Sequence, residues 1–94
     1  MAPTAPIFVW ISHGTGAQFA SGSFSTFERA EAWIAAHSLS GVLTRYPLDE
    51  GSYDWALANG TFQPKREDQK SPEFIQRFAD GTWHHHFENG AKIG

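Results

Sequence analysis

The chain has 94 residues, the length of one small domain. Seven basic and ten acidic residues give a formal net charge of -3, and no basic stripe is present to hold a phosphate backbone, so nucleic acid is not an expected partner. The absence of cysteine excludes disulfides, thiolate metal sites and a thiol nucleophile. Fourteen aromatic residues supply large apolar areas, and we expect them mainly to hold a short chain together.

The first residues lack the features of a secretory signal or a membrane anchor. The first charged residue is Glu28, so no basic region precedes an apolar one, and the apolar run over 7–11 is too short to cross a bilayer. Together with the missing cysteines, this predicts a cytoplasmic protein that has no membrane partner.

The N-terminal part of the chain predicts a hairpin. Residues 1–6 contain two prolines and no periodic pattern, so we expect a loose end. The β-branched and aromatic run over 7–11 predicts a strand, and a turn with two glycines over 13–16 leads to a weaker extended segment over 17–24.

A capping box predicts the start of the first helix. Ser25 and Glu28 have the spacing at which each side chain can satisfy a free backbone amide, so the helix is expected to begin at Ser25 and to run to about His37. The segment over 42–46 then predicts a third strand, which Pro47 ends because it cannot donate a ladder hydrogen bond.

The second half of the chain predicts two short helices and a last strand. Asp49 or Ser52 can cap the first of these helices, and Asn59-Gly60 is a natural left-handed end for it. The remaining predicted elements are a solvated charged loop over 65–70, a helix capped by Ser71 with Pro72 in its first turn that ends at 80–81, a strand over 82–87 closed by Asn89-Gly90, and a loose end over 91–94.

The resulting order, ββαβααβ, is typical of the α+β class. We expect a single small domain over residues 1–94 with an ordered core at about 7–90. Its sheet is expected to have four strands, mostly antiparallel or mixed, with the helices packed largely on one face.

Three consecutive histidines are the most distinctive local pattern. In a strand, His84 and His86 project from the same face, roughly 7 Å apart along the chain. They are candidate metal ligands, but zinc needs three or four. Further ligands would have to come from elsewhere in the chain, and the candidates are His13, His37, Asp54 and Glu88. The alternative is that Trp83, His85 and Phe87 face inward while the other two histidines lie in water.

No pattern typical of a catalytic site is found. The turn over 13–16 is followed by no lysine and no helix, unlike a phosphate loop. The serines lack the strand-turn-helix elbow of a nucleophile, and the acidic pairs are sequence neighbours in predicted loops. The sequence therefore favours a protein that is not an enzyme and that has no cofactor other than zinc at the histidine pair.

A segment rich in amphipathic rings and acidic groups provides the candidate partner contacts, Tyr46, Tyr53, Asp54 and Trp55. Tyrosine and tryptophan are enriched at binding hot spots, although such rings can also simply seal the end of a sheet. We therefore predict a non-catalytic module, of accessory or immunity type, that binds another protein. The alternative is a histidine-based metal-binding protein that could be hydrolytic, and a third hypothesis is a small-molecule pocket.

Three motifs occur in order along the chain: YPLD at 46–49, YDWA at 53–56 and SPEFI at 71–75. They resemble a family of small, uncharacterised bacterial proteins that is classed as a domain of unknown function. The resemblance spans most of residues 7–90 and implies a bacterial, stand-alone domain. It implies no catalytic or binding residue.

Overall fold

The computed structural model describes residues 7–94, which form two compact units. Within the described residues, the first unit comprises 7–48 and 81–94, and the second comprises 49–80. The predicted loose end over 1–6 lies outside the described residues. None of the helices within 7–94 has the length and apolar content needed to cross a bilayer.

The first unit is a five-stranded antiparallel sheet with one helix. Its strands lie in the order β2-β1-β3-β4-β5, and every neighbouring pair is antiparallel. The α+β class is thereby confirmed, with one strand more than the four predicted. The elements are β1 (Phe8–Gly14), β2 (Gly22–Phe24), α1 (Phe27–Ala36), β3 (Gly41–Pro47), β4 (His84–Glu88) and β5 (Ala91–Ile93).

The added strand is β5, which forms a hairpin with β4 where the sequence predicts a loose end. Asn89 and Gly90 both have positive φ, 51° and 88°, which is the backbone of a tight turn between antiparallel strands. Residues 91–93 pair with β4, so Asn89-Gly90 connects two strands instead of ending the sheet. Three residues are too few to show a strand period, which is why the pattern predicted a loose end there.

The second unit contains three short helices: α2 (Ser52–Ala58), a 3-10 helix (Glu67–Lys70) and α3 (Pro72–Ile75). The charged segment over 65–70, predicted as a loop, is ordered by the side chain of Gln69, which accepts from the amides of Lys65 and Arg66 at 2.6 and 3.2 Å. Ser71 caps α3 as predicted, and its hydroxyl accepts from the amide of Phe74 at 3.2 Å.

Helix α3 is shorter than the prediction, which extended it to residues 80–81. After Ile75 each amide bonds to the carbonyl three residues earlier, as in a 3-10 turn. The Arg77 amide donates to the Phe74 carbonyl and the Phe78 amide to the Ile75 carbonyl, both at 3.2 Å. Four rings form the core of this unit, with neighbouring centroids 4.9–6.3 Å apart. They belong to Tyr53, Phe62, Phe74 and Phe78.

The core of the first unit lies between α1 and one face of the sheet. Strands β2 and β3 flank β1 and run in the same direction, so α1, which joins them, crosses over that face. Leu43 is fully buried at the centre. The other buried members of the cluster are Ala30, Ile34 and Phe87, and half-buried rings pack around them.

The N-cap of helix α1 lies one residue later than predicted. It is Thr26, whose hydroxyl accepts a hydrogen bond from the Arg29 amide at 3.1 Å, and not Ser25. The predicted capping box between Ser25 and Glu28 is therefore wrong. Two adjacent hydroxyl residues offer the same local chemistry, and the extended backbone at Thr26 (φ -136°, ψ 156°) decides which of them caps the helix.

Replacing Thr26 by alanine is expected to lower the free energy of unfolding by about 1 kcal/mol, because the Arg29 amide loses its acceptor at the helix start. Ser25→Ala is the matched control and should leave stability within about 0.5 kcal/mol of the original protein. Urea denaturation followed by circular dichroism measures both. Equal losses in the two variants would contradict the assignment of Thr26 as the cap.

Candidate functional site

Strand pairing places the two candidate metal ligands on the sheet face opposite α1. His84 lies opposite Thr44 and His86 opposite Val42 on β3, and residues that lie opposite one another project from the same face. Leu43, between those two partners, points to the other face and into the core. We call the surface formed by His84, His86, Val42 and Thr44 the histidine face.

The rings of His84 and His86 lie next to each other. Their centroids are 5.1 Å apart with an interplanar angle of 82°, and both residues are exposed. Two imidazoles that coordinate one tetrahedral zinc ion at about 2.0–2.1 Å per Zn–N bond have centroids about 5 Å apart. The pair therefore already has the ring spacing of two ligands on a single ion.

A backbone carbonyl fixes one of these rings. Nδ1 of His84 is hydrogen bonded to the carbonyl oxygen of Gly81. A carbonyl oxygen only accepts, so Nδ1 carries the hydrogen, and in the neutral ring Nε2 of His84 keeps its lone pair. Metal-bound histidines commonly donate their second ring nitrogen to a carbonyl in this way, which orients the ring and fixes the tautomer.

The other candidate ligands do not complete the pair. His13 is on β1 and lies opposite Val42 of β3, which in turn lies opposite His86, so Val42 separates the two histidines. Nε2 of His13 is hydrogen bonded to the Ala17 carbonyl at 2.6 Å. His37 follows α1 and contacts the ring of Trp33. Within residues 7–94, no group of three His, Cys, Asp or Glu side chains is placed to hold a metal ion.

The middle histidine belongs to the core. His85 is half-buried, and its ring lies 4.9 Å from that of Phe27 and 6.0 Å from that of Trp10. Burial lowers the pKa of His85, and the charges of Lys92 and His84 lower it further, while Glu31 acts in the opposite direction. A neutral imidazole is thus favoured at this position, as suits a ring packed among aromatic side chains.

The residues two positions before and after His85 differ in burial. Phe87 is 4% exposed and belongs to the core cluster, whereas Trp83 is 52% exposed. Trp83 shares the face of His85 and Phe87, but its side chain is about half exposed, so the expected burial is not found there. Its ring contacts the guanidinium of Arg45, which lies 4.6 Å from the ring centroid.

The sequence as a whole was compared with known proteins. Residues 9–93 match the profile of a family described as "Domain of unknown function (DUF7710)". The chain belongs to this family. Comparison with curated proteins and with solved structures gave no match. The DUF7710 match spans both compact units, so the histidine pair and the helices of the second unit lie within one family domain.

The predicted partner-binding residues of this DUF7710 domain have different environments. Tyr46 lies on β3, is half-buried and projects from the same face as Thr44. Tyr53, on α2, is 8% exposed, and its hydroxyl donates to the Gln69 carbonyl at 2.8 Å. Asp54 is exposed and Trp55 is half-buried. Tyr53 therefore acts as a core residue of the second unit.

Sequence reasoning missed a surface arginine that two rings hold in place. The Arg45 guanidinium lies 3.8 Å from the ring centroid of Phe8 and 4.6 Å from that of Trp83. The pairing of β1 with β3 and of β3 with β4 brings these three side chains together. A basic residue inside the predicted third strand was the available signal, but identifying the two rings requires the strand order.

Proposed function

We propose that this domain binds a divalent transition-metal ion, with zinc as the reference ion, through His84 and His86. The observation that carries the proposal is the 5.1 Å spacing of the two rings on one exposed strand. The Gly81 carbonyl supports it by leaving Nε2 of His84 available to a ligand. Imidazole is a good ligand for zinc, copper and nickel, and a cysteine-free chain has no thiolate that would compete for them.

The role proposed for the ion is structural and not hydrolytic. A catalytic zinc needs three protein ligands and an open position for water, whereas within the described residues the pair has no third ligand beside it. Binding to a protein partner remains the second candidate function. It is favoured by the exposed Trp83, which with Phe8 holds the Arg45 guanidinium at the surface.

Zinc is expected to bind protein made without a polyhistidine tag and to raise its melting temperature, because an ion that binds only the folded chain stabilises it by mass action. Replacing His86 by alanine should weaken zinc binding by more than about 10-fold, since removal of even an outer partner of a metal ligand commonly has that effect. Isothermal titration calorimetry with zinc chloride measures the affinity.

His13→Ala is the matched control, because His13 is an exposed histidine of the same sheet that lies outside the pair. This variant should bind zinc as the original protein does. The proposal is wrong if the original protein shows neither binding heat nor a rise in melting temperature with zinc. It is also wrong if His13→Ala and His86→Ala lose affinity equally.

A further inference from the structure

We infer that the metal site is completed by a second copy of this chain, so that one zinc ion joins two copies through His84 and His86 of each. This inference rests on the proposed function. Structural zinc sites are almost always four-coordinate, and one copy supplies two ligands. A two-fold axis through the ion brings the same two residues from the second copy and gives four imidazoles around it.

The position of the pair leaves it accessible to a second copy. His84 and His86 are exposed, and β4 is separated from the open edge of the sheet only by the three-residue strand β5. Ile93 of β5 lies directly opposite His86, projects from the same face and is 48% exposed. An apolar side chain thus lies beside the ligand pair, where two copies related by the axis would meet.

Charge makes the association depend on the ion. Each copy carries a formal charge of -3 at pH 7, so two copies repel one another as they approach. A contact made by one metal centre and a few apolar atoms is also well below the area of a stable protein interface, about 1,200 Å² or more. The divalent ion therefore supplies both the attraction and the ligand geometry, and without it the copies are monomers.

The test is the molecular mass of the untagged chain during a zinc titration, measured by sedimentation velocity. With chelator present the chain should be a monomer. Dimer should accumulate up to half an equivalent of zinc per chain, and elemental analysis of the dimer should give one zinc for two chains. His86→Ala should stay monomeric at the same zinc concentrations, and His13→Ala should dimerise like the original protein.

A second variant separates dimer contact from metal binding. Ile93→Ser removes the apolar side chain beside the pair and changes neither the ligands nor the charge near the ion, so it should weaken dimer formation at least 10-fold while zinc still binds. Because Ile93 is exposed at the sheet edge, circular dichroism should show an unchanged fold.

The outcomes also separate the inference from the proposed function. Zinc bound at one equivalent per chain by a monomer would overturn the inference and leave the metal-binding proposal standing. An absence of zinc binding would overturn both. A dimer that forms in chelator, or that persists in His86→Ala, would overturn the inference because the contact would not need the ion.

Discussion

Replacing Gly41 by alanine is expected to lower the free energy of unfolding by roughly 2–6 kcal/mol, since a strained backbone and an overpacked contact each cost about 1–3 kcal/mol. Gly41 has φ 150°, and a Cβ built there would lie 2.2 Å from the His13 carbonyl oxygen and 2.8 Å from Cα of Gly14. Both atoms belong to the backbone of β1, so no side-chain rotation can relieve the contact. The strand pair would have to separate.

Gly14→Ala is the matched control because Gly14 lies directly opposite Gly41 in the β1–β3 pairing. A Cβ at Gly14 would meet its nearest atoms at 3.8 Å, which is an ordinary contact. Its effect should stay within about 1 kcal/mol of zero. Urea denaturation followed by circular dichroism compares the two. If both variants lose the same stability, the close approach of β3 to β1 at Gly41 is not what requires glycine there.

That contact shows what a sequence cannot predict. The sequence predicts a strand over 42–46, but the need for glycine at 41 depends on which strand lies beside it and in which register. Both are properties of the assembled sheet. Sequence patterns were more informative for features that depend only on neighbouring residues in the chain, such as helix caps and helix ends. Ser71 caps α3 as predicted, and Gly60 has a positive φ of 74° after α2 as Asn59-Gly60 indicated.

The geometry of the histidine pair is likewise only partly predictable from the sequence. That His84 and His86 share a face follows from the two-residue period of any strand. The ring spacing and the bond from His84 to the Gly81 carbonyl depend on the turn before β4, which no periodic pattern reports. The absence of a third nearby ligand within residues 7–94 depends on strand order, because Val42 separates His13 from His86.

The two functions predicted from the sequence need not exclude one another. A pair of ligands that cannot close a zinc site within one chain is a reason for a protein contact as well as for metal binding. The proposed partner would then be a second copy, met at His84, His86 and Ile93. The predicted contacts on α2 are less suited to this role, since Tyr53 is buried and bonded to Gln69.

Replacing Leu43 by alanine is expected to lower the free energy of unfolding by about 2–5 kcal/mol, the range for deleting a buried leucine side chain from a packed core. Leu43 is 0% exposed and lies in the cluster that joins α1 to the sheet. The backbone of β3 is paired on both sides, by β1 and β4, so the strand is poorly able to move into the space that the side chain leaves.

Leu48→Ala is the same chemical change at a site that is 48% exposed, one residue after β3. It should cost less than about 1 kcal/mol, because about half of the surface of Leu48 is already in water and no packed core surrounds it. Midpoints of urea denaturation at an unchanged slope measure both losses. Similar midpoints for the two variants would mean that the contact between α1 and the sheet does not depend on Leu43, and the core of the first unit would have to be placed elsewhere.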